Sequence, residues 1–259
     1  MTKKHDIIWL DTTDSTNEEA KRNILSLDNL SVVSAYQQTA GRGQRGNTWS
    51  SSPGENLTFS IVIRYGHEYG HTLPMRACDQ FAVSEATALA VVDLLASYDI
   101  DAKIKWPNDI YVGDRKICGI LIENSLRDGF MSSSIIRVGL NVNQTVFDPS
   151  LPNPTSMILS GNDELQPHSL ESLLEEFVDI FKGYCSRYMN ITGGLSRLRK
   201  LYLSQMWRKD VPADYLDISD GHSFKGIIRG LTDIGLLIVE DTEKGELKEF
   251  AFKEISYII

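Results

Sequence analysis

Residues 41–46 read Gly41-Arg42-Gly43-Gln44-Arg45-Gly46. A strand-like run, Val32 to Gln37, precedes them; Asn47-Thr48-Trp49-Ser50-Ser51-Ser52-Pro53-Gly54 follows, and then a second strand-like run, Leu57 to Arg64. The hexamer has the G-x-G-x-x-G spacing of a dinucleotide-binding turn. That turn follows a strand and opens a helix, which receives the pyrophosphate at its N-terminus. The segment after Gly46 cannot open a helix. The stretch is therefore a glycine-rich loop between two strands, and it carries two arginines that a dinucleotide turn does not need. Such a loop suits an anion held jointly by backbone amides and guanidinium groups.

Outward from this loop the pattern is mixed. Ile7 to Leu10 reads as a strand. Ser15-Thr16-Asn17-Glu18 has the form of a capping box, which predicts a helix from Ser15 to about Leu27. Pro74 suits the first position of a long helix that buries Phe81, Ala88, Val91, Val92 and Leu95 and ends near Tyr98. Strand-like runs follow at Ala102–Trp106, Asp109–Val112, Lys116–Asn124 and Ser134–Asn143, then helices at Ser169–Met189 and Leu195–Trp207. After Trp207 come short strands at Tyr215–Ile218, Phe224–Arg229, Leu236–Glu240 and Glu246–Phe252, the signature of a small all-β module. The fold class is α+β, with a main body to residue 208 and a β tail over 209–259.

The chain has 259 residues, room for one large domain and a small one. Its formal charge of −9 argues against broad non-specific nucleic-acid binding, which depends on a positive field. Three widely spaced cysteines, Cys78, Cys118 and Cys185, fit a reducing compartment and offer no metal spacing. The five histidines show no pairing for a metal. No signal core and no long apolar run is present, so the expected location is cytoplasmic, with no membrane partner.

Gly113-Asp114 between two apolar runs signals a two-residue hairpin with glycine first. Val112 then pairs with Arg115 and Tyr111 with Lys116, and Asp109, Tyr111, Lys116 and Cys118 share one face. Asp109 and Lys116 become diagonal neighbours, roughly 7–8 Å apart at the backbone and bridgeable by the lysine. Just before them, Lys105-Trp106-Pro107-Asn108-Asp109 places a cation, an aromatic ring, an amide and a carboxylate in five residues. A surface hairpin with one salt bridge is the plain alternative. Ser15 needs no ligand to explain it as an N-cap, Asn141 and Asn143 serve equally as turn-formers, and Trp9 and Trp207 read as core.

Taken in order, the segments Asp14-Ser15-Thr16-Asn17, Gln38-Thr39-Ala40-Gly41-Arg42-Gly43, Trp49, Lys105-Trp106-Pro107-Asn108-Asp109, Arg115-Lys116-Ile117-Cys118-Gly119-Ile120-Leu121 and Val138-Gly139-Leu140-Asn141-Val142-Asn143 closely resemble biotin protein ligases. Gly226-Ile227-Ile228-Arg229-Gly230 and Gly235-Leu236-Leu237 resemble that family's SH3-like C-terminal domain. The resemblance implies a class II synthetase-like catalytic domain (1–208), a mixed sheet flanked by helices, and a small SH3-like barrel (209–259). It implies a two-step reaction in which biotin and MgATP give biotinyl-5′-adenylate, and a lysine of a biotin carboxyl carrier protein or domain then takes the biotinyl group. It places Ser15, Thr16, Asn17, Gln38, Gly41, Arg42, Gly43, Gln44, Trp49, Lys116 and Gly119 around biotin and the adenylate. It places Lys105, Asn108, Asn141 and Arg229 on the ATP side. Lys116, Arg42, Arg45 and Asp109 are the expected catalytic residues, with Mg²⁺ carried by ATP and no metal site of the protein's own. Asp109 is expected to orient the acceptor amine or take its proton, because a free lysine with pKa of about 10.4 is almost wholly protonated near neutrality. The expected state is a monomer or homodimer. Only fourteen residues precede Ser15 and none form a helix-turn-helix, so a monofunctional enzyme without a DNA role is expected.

Lipoate ligases share the chemistry, and a non-catalytic biotin sensor is the rival from another class; Lys116 and Arg42 together argue for an enzyme. The family loop commonly runs Gly-Arg-Gly-Arg-x-Gly-Arg-x-Trp, whereas this chain has Gln44 and Asn47 at the second and third arginines. Either the adenylate is held less tightly here or Arg45 supplies the missing charge, and the second is expected. Arg45→Ala should therefore weaken both formation and retention of the adenylate, measured by pyrophosphate exchange and by leakage of the intermediate. Unchanged behaviour beside an inactive Arg42→Ala would refute this.

Overall fold

The computed structural model describes residues 5–41, 51–69, 74–161 and 166–258. Two sheets organise them. The larger is built from β1 (Ile7–Thr13), β2 (Val32–Gln38), β3 (Asn56–Arg64), β4 (Lys103–Lys105), β5 (Asp109–Val112), β6 (Arg115–Arg127) and β7 (Phe130–Asn141). Its order is β1-β2-β3-β7-β6-β5-β4, with β1 and β2 parallel and every other pair antiparallel.

Alternation along the strands gives this sheet two different faces. Leu57, Phe59, Ile61 and Ile63 of β3 stand opposite Leu140, Val138, Ile136 and Ser134 of β7, and Cys118, Ile120 and Ile122 of β6 continue those rows. This apolar face is covered by α2 (Phe81–Ala96) and, after the single-turn α3 (Met157–Ser160), by α4 (Leu170–Tyr184), with Leu89, Leu94, Leu95, Phe177 and Phe181 in the common core. Helix α5 (Gly194–Ser204) packs on α2. The other face carries Thr58, Ser60 and Val62 beside Gly139, Arg137 and Ile135. Among the described residues, the short helix α1 (Thr16–Arg22) and the turn after it cover this face, through Ala20 and Leu27 against Val33, Val62 and Ile135.

Two helix expectations are corrected. Pro74 does not open α2, which begins at Phe81. Met75 O and Ala77 N bond Met131 N and Gly129 O at 2.8 and 2.9 Å, so this stretch is held extended against the tip of the β6–β7 hairpin. Helix α1 ends at Arg22 instead of Leu27, and Asn23 turns its amide back to Glu19 O at 3.0 Å. The Ser15–Glu18 capping box does not form: Ser15 makes no side-chain cap bond, and Glu18 pairs with Lys21 at 3.2 Å.

The smaller sheet comprises β8 (Pro212–Asp217), β9 (Ser223–Leu231), β10 (Leu237–Asp241), β11 (Glu246–Phe250) and β12 (Ile255–Tyr257), in the antiparallel order β11-β10-β9-β8-β12. No ladder joins its edges among the described residues, so the expected barrel is seen as a five-stranded sheet. It sits tightly on the main body. Trp106 donates Nε1–H to Gly235 O at 3.0 Å, Trp207 donates to Gly113 O at 2.9 Å, and Gly235, at φ +90°, lies so close to Phe81 that a Cβ would meet its ring at 2.5 Å.

Beneath this junction Glu85 of α2, 1% exposed, pairs with Arg199 of α5, whose guanidinium also donates to the Thr232 and Asp233 carbonyls. Burial pushes the Glu85 carboxyl up to about 7, against the opposing pull of Arg199. A carboxyl raised in the folded state binds more protons there than in the unfolded chain. Its contribution is therefore most favourable below the unfolded value and is lost as pH rises through the folded one. Relative to Glu85→Gln, the wild type should lose unfolding free energy between about pH 5 and about pH 8 in urea titrations. Arg199→Met, which takes from buried Glu85 its partner and from the Thr232 and Asp233 carbonyls their donor, should cost about 3 kcal/mol at neutral pH.

Candidate functional site

The polar face of the large sheet holds most of the described candidate residues. The row Asp109, Gly119, Gly139, Thr58 crosses β5, β6, β7 and β3 in register. Two adjacent glycines leave bare backbone in the middle of that row, a floor on which another group can lie close. From β5 to β3 is three strand spacings, about 14 Å.

At one end stands the hairpin. Val112 pairs with Arg115 and Tyr111 with Lys116 as expected, with Gly113 at φ 58°. The register then shifts by one residue between Tyr111 and Ile110, so Ile110 faces Cys118 and Asp109 faces Gly119. The bulge corrects the expected face: Cys118 turns into the apolar core, fully buried, and Gly119 takes its place beside Asp109. Lys116 and Asp109 stay together, with Nζ 2.7 Å from Oδ1 and both side chains partly open to solvent. The backbone of Lys116 is held by Asn153 O at 2.7 Å and Thr155 N at 2.9 Å. Lys105, opposite Asp109 on β4, lies 3.0 Å from the Tyr111 hydroxyl. Burial pulls its ammonium down to about 8, while Asp109 acts the other way.

At the other end, α1 presents a buried hydrogen-bonding cluster. Thr16 N donates to Gln38 Oε1 at 3.1 Å, and Ser60 Oγ lies 2.8 Å from Thr16 Oγ1 and 2.6 Å from Asn17 Oδ1. Asn17 donates to Glu123 at 2.6 Å, and Lys21 to the same carboxylate at 2.8 Å. Two buried polar atoms in this cluster, Ser15 Oγ and Gln38 Nε2, have no hydrogen-bond partner among the described residues. One can accept or donate and the other donates. Leaving both unmet costs stability, so their presence points to a polar group of a ligand.

The remaining candidates divide. Asn108 donates to Ile120 O at 2.5 Å and Asn141 to Thr155 O at 2.8 Å, so both amides brace the frame beside the row. Gly41 follows Ala40, whose N–H bonds Asp14 O at 2.9 Å, which brings the start of the arginine loop back to α1. Arg229 lies on the smaller sheet, bound to Glu240 at 2.6 Å and Asp210 at 3.2 Å; no hydrogen bond or ion pair joins it to Lys105, Asn108 or Asn141 among the described residues. Arg42, Gly43, Gln44, Arg45 and Trp49 lie outside the described residues. Sequence reasoning missed Ser60, Glu123 and Arg137. The signal was there: polar residues alternating through otherwise apolar strands mark a sheet face that meets something polar. Arg137 is 3% exposed, and burial draws it down to about 10 while Glu123 opposes that shift.

Comparison with known proteins gives the chain a family and a fold. Residues 9–141 match the model of the biotin/lipoate A/B protein ligase family. The chain is 30% identical over 254 residues to the bifunctional ligase/repressor BirA of Salmonella typhimurium, covering 95% of this chain and 72% of that one. It is 28% identical over 243 residues to the biotin--[acetyl-CoA-carboxylase] ligase of Paracoccus denitrificans, covering 88% and 91%. The biotin protein ligase from Aquifex aeolicus, solved in complex with biotin and ATP, shares the fold with a TM-score of 0.75 at 23% identity, covering 98% of both chains. The chain belongs to the biotin/lipoate A/B protein ligase family.

Proposed function

We propose that this chain is an ATP-dependent biotin protein ligase. It joins biotin to the α-phosphate of ATP, giving biotinyl-5′-adenylate and pyrophosphate, and then passes the biotinyl group to a lysine of a biotin carboxyl carrier domain, releasing AMP. The observation that carries the reading is the bare strip of Gly119 and Gly139 between two unlike ends. The unpartnered Ser15 hydroxyl and Gln38 amide suit a neutral, planar ureido group, which both accepts and donates. The Lys116 ammonium suits a carboxylate and a phosphate that must be brought together against their mutual repulsion.

In the first step a carboxylate oxygen of biotin attacks the α-phosphorus, and the bond to pyrophosphate breaks. Lys116 offsets the charge, with Arg42 and Arg45 on the loop and Mg²⁺ carried by the nucleotide. Positioning supplies most of the catalysis in such a displacement. In the second step the acceptor amine attacks the acyl carbon, AMP leaves with the electron pair, and Asp109 takes the amine proton. Lys116 is paired with Asp109. When Lys116 turns to the phosphate, the carboxylate is released for the incoming lysine. In this reading the large sheet with its helices (1–208) is the catalytic domain, and 209–259 is a second, C-terminal domain.

Incubation with biotin, MgATP and a carrier domain should add the mass of one biotinyl group to the carrier. No gain with biotin, but a gain with lipoate, would move the chain to the other branch of its family. Asp109→Asn should keep pyrophosphate exchange and slow transfer about tenfold or more, as expected for a lost proton acceptor; unchanged transfer refutes the role. Ser15→Ala gives a sharper division. A bonded N-cap serine costs about 1 kcal/mol when removed, but here the hydroxyl is unmet. The variant should therefore unfold in urea no earlier than wild type without ligand, yet lose most of the stabilisation that biotin confers.

A further inference from the structure

Lys105 sits in an aromatic box drawn from three parts of the chain. Its Nζ lies 4.6 Å from the ring centroid of Tyr111 on the catalytic hairpin, 5.5 Å from that of Trp207 between the two sheets, and 5.0 Å from that of Tyr257 on β12. The rings support one another: Tyr111 and Trp207 are 5.2 Å apart, Trp207 and Tyr257 5.7 Å, and Tyr257 and Tyr215 of β8 5.5 Å. Trp207 is further pinned by its bond to Gly113 O and by Arg208, 4.0 Å from its centroid. A junction built only for packing would hold an apolar side chain here, because a desolvated ammonium is costly. Ring faces make that cation tolerable.

We propose that Tyr257 is a positioning residue of the ligase site: its ring, with Trp207 and Tyr111, holds Lys105 beside the Asp109–Lys116 pair, so the C-terminal sheet takes part in the reaction through Lys105. The inference rests on the ligase reading above. Lys105 is the cross-strand partner of Asp109. Once Lys116 turns to the adenylate, Lys105 is the cation that keeps Asp109 in place. A lysine stem without the box has many rotamers, and the ring removes that freedom. The Tyr257 hydroxyl is buried with no hydrogen-bond partner among the described residues.

The test is biotinyl transfer to a carrier domain with kcat and the carrier KM resolved, alongside pyrophosphate exchange and melting temperatures. Tyr257→Phe keeps the ring and should stay within about twofold of wild type. Tyr257→Leu, or Tyr257→Met if the first melts early, removes it and should lower the kcat of transfer about tenfold with the carrier KM and pyrophosphate exchange unchanged. Lys105→Met should lose as much, Lys105→Arg should recover part of it, and Tyr257→Leu on Lys105→Met should add nothing. Additive losses overturn the proposal, as does a Leu variant with wild-type kcat or a Phe variant as impaired as Leu. An active wild type with additive losses overturns this inference alone, whereas a wild type without exchange overturns the ligase reading on which it rests.

Discussion

The site depends on one extra residue in β6. Without the bulge at Ile117, Cys118 would stand opposite Asp109 and Gly119 would turn into the core against α2. With it, Lys116 and Gly119 face the same side, and the row Asp109, Gly119, Gly139, Thr58 closes across four strands. A one-residue slip exchanges every side chain between the faces of a sheet, and a bulge performs that exchange locally. One edit thus places the cation, the carboxylate and the bare backbone floor together. It also sends a buried thiol into the core, where burial raises its pKa far above the ordinary range.

Around that floor the protein keeps polar groups that a stability-driven sheet would not. Ser60, Asn17, Glu123 and Lys21 form a bonded chain under and along α1, with Arg137 buried in the same face. Satisfied networks of this kind rigidify their surroundings, while each unmet group weakens the fold. The two unmet atoms, Ser15 Oγ and Gln38 Nε2, belong to the same cluster, in which Thr16 N donates to Gln38 Oε1. The apolar face supplies the compensating stability: α2 is buried nearly all round, and α4 turns Leu173, Leu174, Phe177 and Phe181 onto the same core.

The smaller sheet is held by few but specific contacts. The Trp106 indole donates to Gly235 O across the junction, Trp207 at its edge donates to Gly113 O of the hairpin, and the Glu85–Arg199 pair reaches from α2 through α5 to the Thr232 and Asp233 carbonyls. These attachments leave the smaller sheet beside the very segment, Lys105 to Asp109, that borders the reaction.

Much of this was legible in residues alone. The glycine and arginine loop between strands, the hairpin at Gly113, the Asp109–Lys116 pair and the order of the motifs depend on local periodicity and turn chemistry, which are properties of short segments. The misreadings arose where distant chain competes. Pro74 favours a helix start, but the β6–β7 tip holds its neighbours extended. Ser15-Thr16-Asn17-Glu18 has the form of a capping box, yet the hydroxyl is left for something else. Trp207 reads as core and is buried, but its ring also forms one wall of a lysine's box, which no local pattern shows. The sequence by itself determined the chemistry available: which cations, amides and carboxylates exist, and on which loops and strands. Only the tertiary structure decided which of them meet. Register, bulges and sheet-on-sheet contact are set by the sum of many long-range pairings, and no single segment carries that sum.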